Sequence, residues 1–242
     1  MGTTVTPYKT SGESKKEQVA GMFNNIAPKY DFLNHFLSFG IDILWRKKAI
    51  AQLKALQPKL ILDVATGTGD LAIEALSLHP DKVIGIDISE GMLSVGREKM
   101  KEKNLSSKIE LQSGDSEQLT FSNNYFDAAM VAFGVRNFEN LEKGLSEINR
   151  VIRPGGLLVV LEFSKPRRFP IKQAYSFYSS QFLPRIGKLL SKDKAAYTYL
   201  PESVQAFPDG ADFLAILGKC GFTSTKAISL SFGIASIYVA EK

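Results

Sequence analysis

The stretch Leu60-Ile61-Leu62-Asp63-Val64-Ala65-Thr66-Gly67-Thr68-Gly69-Asp70-Leu71-Ala72 decides the fold. Leu60–Ala65 is a short apolar run of strand type, and it ends in a glycine-rich turn that opens a helical stretch, Asp70–Leu78. Outward from it, Lys82–Ile88 reads as a strand, Glu90–Lys103 as a helix, and Ile109–Gln112 and Phe126–Phe133 as two more strands. Leu141–Ile152 reads as a helix, and Gly155–Phe163 as a buried strand entered through the turn Arg153-Pro154-Gly155-Gly156. Strands alternating with helices mean a parallel sheet covered on both faces. Glu202–Lys219 is then expected as one helix, with Thr223–Ser229 and Gly233–Ala240 as final strands linked around Ser231-Phe232-Gly233. So short a link predicts a hairpin, hence a mostly parallel, doubly wound α/β sheet of seven strands whose last strand is antiparallel.

With 242 residues, of which 44% are hydrophobic and 23% charged, the chain reads as one domain, 1–242. Residues 1–57 carry helix-compatible apolar spacing, broken by Pro28 and Gly40, and are expected to form two or three short helices that lie over the cleft as a lid. No run approaches the roughly 18 apolar residues of a membrane-spanning helix, and the polar start has no signal-peptide character, so a cytosolic protein is expected. The single cysteine, Cys220, excludes an internal disulfide, and His35 and His79 have no zinc-ligand spacing, so no metal is expected. The net charge is +5, but residues 165–200 carry +7 and the remainder −2. This basic segment also holds Phe169, Tyr175, Phe177, Tyr178, Phe182, Tyr197 and Tyr199.

Gly67 and Gly69 permit positive φ and leave N–H groups bare at a helix N-terminus. Twenty residues after Gly67, at the end of the second strand, Asp87 is placed to accept both hydroxyls of a ribose. A turn and an acid in this arrangement predict a nucleoside site. Asp63, just before the turn, is badly placed for a pyrophosphate and well placed for a cationic amino-acid end, which favours S-adenosyl-L-methionine over a dinucleotide. Gly114-Asp115-Ser116 after the third strand is the expected contact for the adenine edge.

These segments resemble the class I S-adenosylmethionine-dependent methyltransferases, of Rossmann-like fold, and other segments resemble one family among them. Tyr30-Asp31-Phe32-Leu33-Asn34-His35-Phe36-Leu37-Ser38-Phe39-Gly40 with Trp45-Arg46, Phe133-Gly134-Val135-Arg136-Asn137, and Arg150 to Gly156 leading into Leu161-Glu162-Phe163-Ser164-Lys165-Pro166 are similar to blocks of the menaquinone/ubiquinone biosynthesis C-methyltransferases. The resemblance runs over residues 17–242 and implies that Thr68, Asp87, Asp115 and Ser116 bind the cofactor, beside Asp63, Gly67 and Gly69 of the wider pattern. Asp42 stands where the first block usually has histidine, Arg153 where the last usually has lysine, and Ala132 where a serine often meets the cofactor.

The resemblance further implies methylation of a ring carbon in a prenylated quinol, 2-demethylmenaquinol first and the ubiquinone precursor 2-methoxy-6-polyprenyl-1,4-benzoquinol second. Attack on a methyl sulfonium needs a phenolate-like ring, and a free phenol has a pKa of about 10. Arg136, on the loop after the fourth strand, is the expected electrostatic stabiliser; Asn137 is expected to orient the ring oxygen, with Asp31 and His35 as further base candidates. The lipophilic substrate and the basic, aromatic segment 165–201 together suggest an insertion that lies near and covers the quinone pocket and makes transient contact with a membrane surface, at its inner face. The competing readings are an RNA methyltransferase and a non-catalytic cofactor-binding scaffold. The Asn/Asp-Pro-Pro-Tyr/Phe tetrapeptide of amino-methylating enzymes is missing, since Ala132-Phe133-Gly134-Val135 takes its place, so no nucleic-acid partner is expected. A homodimer stays open.

Overall fold

The computed structural model describes residues 5–178 and 194–242, so Phe182, Arg185, Lys188 and Lys192 of the basic segment lie outside the described residues. Seven strands make one sheet in the order β3-β2-β1-β4-β5-β7-β6. They are β1 (Leu60–Val64), β2 (Lys82–Asp87), β3 (Ile109–Ser113), β4 (Phe126–Ala132), β5 (Ile152–Phe163), β6 (Thr223–Leu230) and β7 (Ala235–Glu241). Pairings within β3-β2-β1-β4-β5 are parallel, while β7 runs antiparallel to both β5 and β6. The hairpin is therefore present, closed by a single 3-10 turn, Ser231–Gly233.

Apolar residues on alternate positions bury both faces of the sheet. Ile61, Val83 and Met130 pack on one side under α4 (Asp70–Ala75) and α5 (Glu90–Glu102). Leu62, Val64, Ile84 and Ile86 pack on the other under α6 (Leu141–Val151) and α9 (Ala211–Lys219). The N-terminal helices α1 (Lys15–Ile26), α2 (Tyr30–Leu37) and α3 (Ile41–Ala51) fall in the span expected for them. A capping box fixes the start of α1: Ser14 accepts from the Glu17 N–H while Glu17 accepts from the Ser14 N–H. The buried indole of Trp45 on α3 donates to Ser231 Oγ at 2.9 Å, which joins the lid to the β6–β7 turn.

Two sequence expectations need correction. Glu202–Lys219 is two helices, α8 (Lys194–Ala206) and α9, because Pro208 and Gly210 interrupt the amphipathic pattern. The break is held in place by Asp209, which accepts from the Lys165 N–H at 3.2 Å, and by Tyr238, whose hydroxyl accepts from the Gly210 N–H at 2.8 Å. In β5, Arg153–Gly156 does not precede the strand but lies inside it: Ile152 already pairs with Phe126, and the register shifts before Ala128 pairs with Leu157. The turn residues form a bulge. The remaining helix, α7 (Ile171–Phe177), follows β5.

Candidate active site

Two hollows meet at the carboxyl ends of β1, β2 and β4, where successive connections leave the sheet in opposite directions, the position at which open α/β sheets bind ligands. The narrower one is lined by Gly67, Asp87, Asp115, Ser116 and Asn137, with Ile88, Met92 and Phe138 as its apolar walls. Gly67 turns at φ +57° and Gly69 at φ +85°, both left-handed. A Cβ on Gly69 would stand 2.6 Å from Met100 Cε, the flexible end of a side chain that can shift, so it is the left-handed φ that calls for glycine here.

Asp87 is fixed by two backbone donors, Gly67 N–H on Oδ2 and Ser89 N–H on Oδ1, each at 2.8 Å. Burial raises its pKa, and the two N–H donors partly counter this. Ser89, not Asp87, caps α5, since its hydroxyl accepts from the Met92 N–H. Asp115 accepts from the Glu117 N–H at 2.9 Å and from Lys16 Nζ of α1 at 2.6 Å, so the lid reaches across the cleft at this end.

Asp63 lies beneath the turn rather than on the lining. Its Oδ2 accepts from Thr66 Oγ1 at 2.6 Å, while Oδ1 is buried and makes no hydrogen bond among the described residues. Burial, aided by the charge of Asp87, pushes its pKa up to about 7. Thr68 also turns from the cleft: its hydroxyl donates to Asp31 Oδ1 at 2.6 Å and accepts from Lys99 Nζ at 3.1 Å.

That contact belongs to an ionic network under the lid. Lys99 Nζ pairs with Asp31 at 2.5 Å and Asp70 at 2.8 Å; Arg46 pairs with Asp70 at 3.0 Å and Asp42 at 2.5 Å; His35 Nδ1 meets Asp42 at 2.9 Å. Neither Asp31 nor His35 lines either hollow. Asp42, the departure from the family pattern, is an acceptor for three neighbours, His35, Ser38 and Arg46. Although burial works against it, those partners hold its pKa below the usual value.

The wider hollow has a volume of about 770 Å³, ample for a drug-sized ligand. It shares Phe23, Tyr30 and Phe133 with the cleft and extends between the lid, α7 and α8. Its walls are mainly apolar, and Arg136 stands on them with Tyr30, Tyr175 and Tyr199. Arg136 Nη1 donates to Glu162 Oε1 at 2.8 Å and to Phe133 O, its guanidinium carbon lies 5.5 Å from the Phe163 ring centroid, and its Nε is buried without a hydrogen-bond partner. Glu162 is 0% exposed, and burial raises its pKa while Arg136 pulls it down. Burial lifts Tyr175 and Tyr199 to about 12, against the pull of Arg136, so both phenols stay protonated near neutral pH and act as donors. Asn137 Oδ1 accepts from the Tyr199 hydroxyl at 3.1 Å, at the seam of the two hollows; the cap of α6 is Asn140 instead.

Sequence reasoning missed several of these side chains. Glu162 sits in an otherwise apolar strand run, and a carboxylate inside such a run is itself a signal of a buried partner. Lys15 was also missed: its Nζ donates to the carbonyls of Arg136 and Phe138 at 3.0 and 2.8 Å, which braces the loop after β4. Burial, with the charge of Arg136, lowers its pKa to about 8. Tyr175, Tyr199 and Lys99 carry no local motif.

Known proteins place this geometry. The chain is 53% identical over 239 residues to the demethylmenaquinone methyltransferase of Bacteroides fragilis, covering 98% of this chain and 97% of that protein. It is 43% identical over 240 residues to the ubiquinone/menaquinone biosynthesis C-methyltransferase UbiE of Geobacter sulfurreducens, covering 98% and 93%. Among solved structures, an S-adenosylmethionine-dependent methyltransferase of Thermotoga maritima, a possible histamine N-methyltransferase, superposes with a TM-score of 0.64 at 19% identity, covering 92% of this chain and 98% of that one. The [4+2]-cyclase SpnF superposes at 0.63 with 18% identity, covering 95% and 97%. Likenesses at that identity establish the fold alone, since one fold carries both a methyltransferase and a cyclase. The ubiE/COQ5 methyltransferase family matches residues 11–242, and with relatives this similar along nearly its whole length, the chain belongs to that family.

Proposed function

We propose that the chain is an S-adenosylmethionine-dependent C-methyltransferase of a prenylated quinol, with 2-demethylmenaquinol as acceptor and menaquinol as product. The observation that carries this is the junction of the polar glycine-turn cleft with an apolar cavity of about 770 Å³ whose wall holds Arg136 and four tyrosines, Tyr30, Tyr175, Tyr178 and Tyr199. The names of the relatives favour the same substrate.

The cleft fits the cofactor. Asp87 offers two pre-positioned carboxylate oxygens to ribose hydroxyls, Asp115 and Ser116 stand at the adenine end, and Met92 and Phe138 give an apolar slot. Beneath the turn, Asp63 Oδ1 makes no hydrogen bond among the described residues, and the negative charge that Asp63 takes on as it ionises near pH 7 suits a cationic ligand and opposes a pyrophosphate. When bound, the cofactor supplies an electrophilic methyl group on a sulfonium.

The chain makes the acceptor carbon nucleophilic. A guanidinium is a hydrogen-bond donor with no acceptor site, so Arg136 acts as an electrostatic stabiliser of the ring phenolate and not as its base. Glu162 compensates that charge in the resting site and fixes the plane of the guanidinium, while the free Nε leaves a donor unspent. Tyr199, with Asn137 as its acceptor, bridges the cavity and the cleft and orients the ring oxygen. Asp31 and His35 serve the lid through Lys99, Thr68 and Asp42. Methyl transfer then releases one proton from the ring carbon as aromaticity returns.

The test is transfer of labelled methyl from S-adenosylmethionine to a reduced, short-chain 2-demethylmenaquinol, with the oxidised quinone and bulk RNA as parallel acceptors. Label in the quinol alone is expected; label in RNA, or cofactor binding without transfer, overturns the reading.

A further inference from the structure

We infer that the rim of the large cavity is a docking surface for an anionic lipid bilayer, with exposed apolar side chains entering the interface and lysines and arginines lying over the headgroups. The inference rests on reading that cavity as the site of a lipophilic quinol.

Three segments distant in sequence make this rim. On the lid, Phe39 and Leu44 line the cavity and yet are 82% and 56% exposed, beside the exposed Ile43. On the β6–β7 turn, Phe232 is 80% exposed between Ser231 and Ile234, both of which line the cavity. After β5, Phe169 is exposed two residues before Ile171, which lines the cavity as well. The segments touch one another: Trp45 donates to Ser231, and Ser164 donates from its hydroxyl to Gly233 O at 2.9 Å and from its N–H to Ile234 O at 2.9 Å. The exposed apolar groups therefore surround one opening. Phe39 and Phe232 hold left-handed φ of +53° and +59°, a region disfavoured for bulky residues and one that keeps both rings at turn tips.

Charge chooses the partner. Lys47 and Lys48 are exposed one helical turn beyond Ile43 and Leu44, and neither makes an ion pair among the described residues. Arg167, Arg168 and Lys172 are exposed around Phe169. Across residues 41–51, 164–178 and 229–235 the single acid is Asp42, which is buried against Arg46. Arg167 faces Asp209 at 3.6 Å, while Lys47, Lys48, Arg168 and Lys172 make no ion pair among the described residues. Apolar tips flanked by these four cations match an anionic membrane surface, where each cation adds to the attraction and each ring reaches the acyl boundary. The cavity would then open toward the phase in which a prenylated acceptor dissolves. No helix among the described residues is long and apolar enough to cross a membrane.

The experiment is co-sedimentation of the full chain with phosphatidylcholine vesicles, with and without phosphatidylglycerol. Wild type is compared with Ile43→Ser/Phe232→Ser and Lys47→Glu/Lys48→Glu, none of which alters a group placed in the cofactor or substrate site. Wild type should pellet with anionic vesicles and be released by salt, and each double variant should bind at least about tenfold more weakly. Both variants should melt like wild type and methylate a soluble short-chain quinol at the wild-type rate, but fail on quinol embedded in vesicles. Should a charge reversal unfold the chain, Lys47→Gln/Lys48→Gln replaces it. Wild type that stays in the supernatant with both vesicles, or variants that pellet as wild type does, overturn the surface. Loss of transfer to the soluble quinol in wild type overturns the substrate reading instead.

Discussion

Arg136 and Glu162 form one buried unit, and a substitution in either alone strands the other. Breaking a buried pair costs about 3–5 kcal/mol, which would hide any catalytic effect behind misfolding. The informative change removes both charges: Arg136→Gln with Glu162→Gln should melt within a few degrees of wild type, bind cofactor with unchanged affinity by calorimetry, and lose about 10²–10³ in kcat. A double variant that turns over normally would leave the pair a structural role only. Asp63 gives the second prediction. In the folded chain it keeps its proton up to about pH 7, whereas an unfolded aspartate releases it near about 3.9. The folded state binds the extra proton between those values, so stability falls as pH rises from about 4 to about 7. Asp63→Asn, which removes the titration, should raise the melting temperature at pH 8 and leave it nearly unchanged at pH 4. A cationic ligand favours the ionised carboxylate, so wild-type cofactor binding should tighten as pH rises through 7 and release a proton. Calorimetry in two buffers of different ionisation heat reads that proton, and the variant should lose it. Gly67, Gly69 and Asp87 were legible because a turn and the strand beside it are local in sequence. The pair of Glu162 was not, because its place in an apolar run announces a buried partner but not which one, and Arg136 lies 26 residues away.

At the scale of elements, the N-terminal helices are fastened by ions as well as by the packing of Val19, Met22, Trp45, Ala49 and Ile50. Lys99 on α5 joins Asp31 of α2, Asp70 of α4 and the hydroxyl of Thr68, so one side chain ties three helices and the glycine turn together. Asp70 keeps its pKa below the usual value despite burial because Lys99 and Arg46 both face it. Lys99→Met should therefore leave Asp31 and Asp70 short of partners and cost about 1–3 kcal/mol in urea unfolding. It should also speed proteolysis within residues 30–40 and weaken cofactor binding, since Thr68 lies between the two turn glycines. Equal proteolysis in the variant would show that the lid does not depend on the tie. Most elements were readable from period and punctuation. Two were not. Across Glu202–Lys219 the local breakers Pro208 and Gly210 outweigh the helical rhythm on either side, and Lys165 and Tyr238 then hold Asp209 and Gly210 in the break. Arg153–Gly156 has turn chemistry, yet β4 draws it into the sheet as a bulge.

The cavity belongs to the whole molecule, which is why no segment of sequence displayed it. Its walls come from the lid, the loop after β4, the end of β5, α7, α8 and the β6–β7 turn, residues brought together only when the sheet is wound. The glycine turn and Asp87 could be singled out without the rest of the fold; the cavity could not, and the acceptor chemistry proposed for it came to the sequence reading through family resemblance. Selectivity for the prenyl tail is accordingly a property of wall positions remote from Arg136 in function. Ala196 of α8 is one: it lines the cavity while packed with Val19, Met22 and Tyr199, the contact that seats α8 on α1. Ala196→Phe projects a ring into this apolar space. The expected outcome is a rise of about tenfold in KM for a long-chain prenylated quinol, with kcat on a ring-only quinol and cofactor affinity both kept, because the substitution removes no hydrogen bond of Tyr199 or Asn137 and the added ring takes up cavity space. An equal rise for both acceptors would place the ring of the quinol, not its tail, against α8. Loss of turnover without any change in KM would mean that α8 positions Tyr199 and Asn137 for the reaction rather than bounding the tail.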